Sequence, residues 1–207
     1  ATVRIEGGCS GSFVSPDGLI LTNHHCVVEC LRELSTPDDD VSASGFLARS
    51  RKEERRCESE QVSVLTRIED VTARVRAAIG DAAGAAANTR RKAALARLEQ
   101  ECTGSYPASD PRTCEAVTLY GGGQYFLYHY RRYDDVRLVF APEYAIGFFG
   151  GDPDNFNFPR YNLDVAFLRA WHKGRPARTP QFHRIRASGA AAGEAVFVPG
   201  HPGSTDR

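Results

Sequence analysis

Two stretches of the sequence hold residue types that do acid–base chemistry. One is Thr22-Asn23-His24-His25-Cys26, and the other is Asn162-Leu163-Asp164-Val165-Ala166-Phe167-Leu168. A histidine acts as a general base when one ring nitrogen faces a nucleophile and a carboxylate anchors the other. An aspartate inside an otherwise apolar run has to be paired, because burying an unpaired carboxylate is expensive. Together the two stretches can supply the base and the carboxylate of a nucleophilic relay. Each also has a plainer reading. Adjacent histidines are often structural or weak metal ligands, and an aspartate at a strand end often caps a turn.

A base of this kind needs a rigid mount, and the first thirty residues read as one. Val3-Arg4-Ile5 alternates, Gly7-Gly8 turns, and residues 9–14 form a strand of small side chains. Ser15-Pro16-Asp17-Gly18 is a strong turn signal, and Leu19-Ile20-Leu21-Thr22 returns as a second strand. The resulting hairpin delivers Asn23-His24-His25-Cys26. Past Val27 the texture changes. Ser35-Thr36-Pro37-Asp38-Asp39-Asp40 is a break, residues 46–56 are charged and read as helix, and residues 68–102 are rich in Ala, Arg and Glu. Gly80 and Gly84 divide that last stretch into two helices, with Asp70 and Thr72 near its start. The run Arg90-Arg91-Lys92 reads as a solvated helix face.

After Cys114 the strand pattern resumes. Tyr125-Phe126-Leu127-Tyr128-His129-Tyr130 and Val136-Arg137-Leu138-Val139-Phe140 read as strands. A loop rich in Gly, Pro and Asn over residues 147–160 leads to the stretch holding Asp164, which reads as a strand. Residues 195–200 read as a last buried strand. The expected organisation is therefore a β hairpin with the histidines over 1–30, a helical excursion over about 31–103, and a β segment with the aspartate over 115–207. The fold class is mainly β with a helical excursion, a small barrel carrying a helical insertion.

Bulk properties exclude several classes. The composition is that of a globular chain able to bury a core, with 42% hydrophobic residues over 207 positions. Lys plus Arg and Asp plus Glu are balanced at 26 each, which offers no electrostatic search for nucleic acid. No apolar run is long enough to span a bilayer. The chain begins at Ala1 and holds no Met, which points to a trimmed start and leaves export open. Its cysteines are Cys9, Cys26, Cys30, Cys57, Cys102 and Cys114, an even set without a CxxC pair. That fits disulfides, and so a periplasmic or extracellular setting, better than zinc. A metal reading at His24, His25, Cys26 and Cys30 lacks a second ligand cluster. Six cysteines admit many pairings, and spacing does not choose among them.

A cysteine one hairpin before the histidine (Cys9) and another directly after it (Cys26) resemble the arrangement of chymotrypsin-like peptidases. There the two cysteines close a disulfide that pins the histidine loop. The resemblance implies a Cys9–Cys26 bond, makes His25 the base and Asp164 the carboxylate that orients it, and puts His24 where a small residue usually stands. Longer strings are more specific. GSFVSPDGLILTNHHC, LYGGGQYFLY, DDVRLVFAPE, FFGGDPDNFNFPRYNLDVAF and FVPGHPGSTDR resemble the bacterial dipeptidyl-peptidase 7 and 11 family, from about Val3 to Arg207. These are serine exopeptidases that release dipeptides from peptides with a free N-terminus.

That resemblance implies the first barrel of a chymotrypsin-like double-β-barrel serine peptidase. It further implies Asn155 and Phe156 as the residues that hold the substrate's α-amino group, Phe156 standing where the family often has Trp. No metal or organic cofactor is implied, and a homodimer of the complete enzyme is compatible with the resemblance, dimerisation being common in that family. The remaining cysteines are expected to pair as Cys30 with Cys57 and Cys102 with Cys114. The nucleophile is expected to lie beyond this chain, after a helical domain and within a second barrel. Ser204, in Gly200-His201-Pro202-Gly203-Ser204-Thr205, follows Asp164 too closely to leave room for that barrel, and Pro202 removes a backbone N–H from its turn. On this reading the segment alone hydrolyses nothing. The competing readings are a trypsin-like endopeptidase and a non-catalytic peptide-binding scaffold.

Overall fold

The computed structural model describes residues 1–107, 109–151, 153 and 157–201. The chain divides into two compact units, one made of Ala1–Ser63 and Tyr133–Arg207, the other of Val64–Arg132.

The first unit is an antiparallel sheet. Its strands are β1 (Thr2–Ile5), β2 (Cys9–Phe13), β3 (Leu19–Thr22), β4 (Phe46–Leu47), β5 (Arg55–Cys57), the start of β6 (Val62–Asp70), β9 (Asp135–Ala141), β10 (Ala166–His172) and β11 (Arg175–Pro176). The order runs β4, β9, β10, β3, β2, β1, with β5 also on β9 and β11 on β10. Val62 and Ser63 at the head of β6 pair with Ile5 and Arg4 of β1. Alternation decides which side chains face inward. Val3 and Ile5, Ile20, Val136 and Leu138, and Leu168 and Ala170 are fully buried, while their neighbours along each strand are less so. This is the mainly β, barrel-like class expected from the sequence, with few helices: α1 (Val28–Leu34), α2 (Val41–Ser44) and α5 (Tyr144–Gly147).

Three expectations need correction in this unit. Residues 46–56 do not form a helix; they make β4, a turn and β5, because both strands pair with β9. Their charged residues are not all solvated. Glu54 is buried, accepting from Arg169 Nε at 2.7 Å and from Trp171 Nε1 at 2.8 Å. Residues 195–200 form no strand, and Val196, Phe197 and Val198 are exposed. Asp164 is not inside a strand, since β10 begins at Ala166.

The second unit packs α3 (Thr72–Ile79) and α4 (Gly84–Gly104) with the body of β6, β7 (Arg112–Leu119) and β8 (Gln124–Tyr133), β8 lying between β6 and β7. The expected pair of helices is present but starts later than residue 68, because residues 68–70 complete β6. Asp70 Oδ1 accepts the Thr72 backbone N–H at 2.8 Å and so supplies the stop between strand and helix. Gly80, at φ +57°, ends α3 in the left-handed region. The core is Val71, Val75, Leu98, Tyr125 and Leu127. Each such side chain contributes roughly 1.5–3 kcal/mol by leaving water.

Three disulfides join Cys9 to Cys26, Cys30 to Cys57 and Cys102 to Cys114. Among the described residues no helix is long and apolar enough to cross a membrane.

Candidate active site

The β2–β3 hairpin carries the first half of the site. Its turn closes at Gly18, whose φ of +79° and close approach to the Ala170 carbonyl leave no room for a side chain. Thr179 Oγ1 accepts the Gly18 N–H at 2.9 Å and donates to the Ser15 carbonyl at 2.8 Å, locking the turn to the segment that follows β11. Beyond β3 the backbone stays extended at Asn23 and then tightens into a short 3-10 turn over His24–Val27. The Cys9–Cys26 bond ties that turn to the head of β2.

The second half arrives by strand register. Ala166 pairs with Thr22, antiparallel, so each step back along β10 meets a step forward from β3. Asp164 therefore falls opposite the histidine turn. The Val165 N–H bonds the Leu163 carbonyl at 2.9 Å, a three-residue turn that aims the Asp164 side chain inward. The Leu163 N–H in turn bonds the Ile146 carbonyl of α5 at 2.9 Å.

His25 Nδ1 and Asp164 Oδ2 are 2.8 Å apart. Asp164 Oδ1 accepts the His25 backbone N–H at 3.1 Å, so one carboxylate holds both the ring and the main chain of the same residue. Asp164 Oδ2 also accepts from Asn23 Nδ2 at 3.2 Å and from Arg160 Nη2 at 2.7 Å. The Asp164 side chain is 1% exposed and that of His25 is 35% exposed. Burial raises the Asp164 pKa. The hydrogen bonds from the His25 backbone and ring and from Arg160 outweigh it, and the net value lies below the ordinary carboxylate value. Chemically, an anchored and ionised carboxylate fixes the imidazole tautomer and leaves proton exchange to Nε2.

His24 points the other way. It is fully buried, and a Cβ built on Gly147 would lie 2.6 Å from its Cγ. Neither ring nitrogen makes a well-formed hydrogen bond among the described residues, the Pro142 backbone being a polar group within reach. Burial first, opposed by the Asp164 charge and the Pro142 backbone, lowers its pKa below the ordinary imidazole value.

Sequence reading brought His25 and Asp164 forward, and the structure places them in contact. It did not single out Asn23 or Arg160, which share the same carboxylate. Both stand inside the strings that carried the resemblance, but nothing in the strings says which side chains converge. Asn155, Phe156 and Ser204 lie outside the described residues. A thiolate metal site around His24 and His25 meets a chemical obstacle. Cys9, His25 and Cys26 place ligand atoms within 4.8 Å of one another, but both sulfurs are spent in their disulfide, and Cys30 is bonded to Cys57.

A family model described as Peptidase S46 matches residues 1–207, the whole chain. The chain belongs to the peptidase S46 family. Among S46 relatives, dipeptidyl-peptidase 7 of Phocaeicola vulgatus is 34% identical over 217 residues, covering 97% of this chain and 30% of that protein. Dipeptidyl-peptidase 7 of Porphyromonas gingivalis is 33% identical, with 100% and 30% covered. The Asp/Glu-specific dipeptidyl-peptidase of Shewanella putrefaciens is 32% identical, with 97% and 28% covered. The crystal structure of Porphyromonas endodontalis DPP11 in complex with substrate superposes with a TM-score of 0.81 at 30% identity, over 92% of this chain and 30% of that one. This chain thus spans about 30% of the length of the S46 proteins it matches.

Proposed function

We propose that this chain is the His- and Asp-bearing part of a serine-type dipeptidyl-peptidase that releases dipeptides from free peptide N-termini. The observation that carries the reading is the 2.8 Å contact between His25 Nδ1 and a buried, ionised Asp164. The family to which the chain belongs supports the peptidase class, and its relatives' names support dipeptide release.

In the complete enzyme a serine from a second barrel attacks the carbonyl of the second peptide bond. As the Oγ–C bond forms, His25 Nε2 takes the hydroxyl proton, and Asp164 stabilises the imidazolium. The tetrahedral intermediate collapses, the C–N bond breaks, and His25 returns the proton to the leaving amine. Water then attacks the dipeptidyl ester, giving its proton to His25; the C–Oγ bond breaks and His25 returns the proton to the serine oxygen. Asn155 and Phe156 hold the substrate's α-ammonium group, and so measure off two residues. On this reading the segment needs a helical domain and a second barrel to act and is inactive by itself. The three disulfides support a periplasmic or extracellular setting.

The test uses the longest product of the gene that holds this segment. It should release dipeptides from a free peptide and leave the N-acetylated peptide intact, and His25→Ala should lower turnover by about 10⁶-fold. Equal cleavage of both peptides would mean an endopeptidase instead. No cleavage of either would mean a binding protein.

A further inference from the structure

Arg160 is not part of the His25–Asp164 pair, yet it shares the pair's most occupied atom. Its Nη2 lies 2.7 Å from Asp164 Oδ2, the oxygen that His25 Nδ1 meets at 2.8 Å. Its Nε is held at 3.0 Å by Asn162 Oδ1, so two contacts fix the guanidinium plane. The Arg160 side chain is 34% exposed and its Asp164 partner 1% exposed, which places a permanent cation at the solvent edge of a buried anion. We infer that Arg160 is a positioning residue of the catalytic pair, setting where the carboxylate sits and how strongly its Oδ2 holds the imidazole. The inference rests on reading His25 and Asp164 as base and orienting acid.

A carboxylate oxygen approached by one donor can slide toward it; approached from three directions, its place is fixed. Asn23 Nδ2 at 3.2 Å, His25 Nδ1 and Arg160 Nη2 surround Oδ2 in this way. Of the three, Arg160 is the one that brings a guanidinium cation to that oxygen. It competes with the imidazolium for the same lone pairs, which limits how tightly the carboxylate can trap a proton on the ring. A base that must give its proton to a leaving amine gains from that limit. The fork matters as well as the charge. A lysine could reach Asp164 or Asn162 but lacks the rigid planar geometry that holds both.

The experiment is made in the same full-length product. Arg160→Gln should lower kcat by roughly 10- to 100-fold with KM changed less than about twofold, because the guanidinium is engaged by Asp164 and Asn162. The downfield imidazole Nδ1 proton of His25, followed by NMR, should shift in the variant. Arg160→Lys should recover only part of kcat. If Arg160→Gln lowers the thermal midpoint by more than about 5 °C, the lysine variant carries the test, since it keeps the charge. Should kcat stay within twofold while His25→Ala is inactive, the inference fails and the functional reading stands. A rise in KM at unchanged kcat would likewise overturn it, by placing Arg160 on the substrate. If His25→Ala itself retains turnover, the functional reading has failed, and this inference with it.

Discussion

Gly147 and His24 meet face to face: the backbone at the end of α5 lies on the imidazole, and a Cβ at residue 147 would sit 2.6–2.8 Å from three ring atoms. Gly147 does not have a positive φ, so the demand here is for space alone. Gly147→Ala should cost roughly 1–3 kcal/mol by overpacking. In a His24→Ala background the cost should shrink, and a double-mutant cycle read by denaturant unfolding measures the coupling.

His24 and Asp164 together set an acid limb of stability. Burial lowers the His24 pKa below 6.5, so the unfolded chain binds a proton that the folded chain refuses. Stability is then lost as pH falls through 6.5 toward the folded value. Asp164, also lowered, holds its contribution above pH 3.8 and loses it as pH falls through its folded value. The His24 contribution is read as a difference: relative to the parent, His24→Gln should gain thermal midpoint as pH falls from 7 to 5, while the loss below pH 3.8 stays in both.

Glu60 works in the opposite sense. It is buried, its Oε2 has no hydrogen-bond partner among the described residues, and burial, then the charges of Glu33 and Glu6, push its pKa to about 7. The folded state therefore prefers the protonated acid. Stability is fullest below the ordinary value of 4.5 and falls as pH rises through about 7, by at most on the order of 3 kcal/mol. Glu60→Gln should stabilise the chain at pH 8 and do little at pH 4.5. Equal midpoint shifts at both pH values would contradict this.

Glu54 is the counter-ion of the sheet interior. It takes Arg169 and Trp171 on separate oxygens, and Arg137 stacks 3.8 Å over the Trp171 ring. Glu54→Ala leaves the nearly buried Arg169 with Asp17 alone, whose carboxylate lies 3.3 Å away and whose carbonyl accepts at 2.8 Å, and should cost about 1–3 kcal/mol in unfolding experiments. Glu54→Gln keeps one acceptor and should cost less. A cost below about 1 kcal/mol for the alanine variant would show that Arg169 finds solvent instead.

How much of this was legible depends on the range of each interaction. The hairpin from β2 to β3 was readable because its signals are local: alternation, then Ser15-Pro16-Asp17-Gly18, then alternation. His25 and Asp164 stood out by their surroundings, a flanking cysteine and an apolar run. The convergence of Asn23 and Arg160 on Asp164 was not readable, since it follows from the pairing of Ala166 with Thr22. Residues 46–56 read as a charged helix, whereas they pair as strands with β9 and Glu54 faces inward to meet Arg169. Val196, Phe197 and Val198 read as buried because their side chains favour burial, but an apolar run does not name the surface that would cover it.

The Asp164 carboxylate is met by donors alone, the His25 N–H on Oδ1 and three side chains on Oδ2. An asparagine offers one oxygen and one NH2 group, so either orientation turns a hydrogen toward another hydrogen. A longer glutamate cannot keep both oxygens in place. Replacing Asp164 therefore leaves at least one of these four donors without its acceptor, and the disulfide at Cys26 becomes the main tie on the His25 turn.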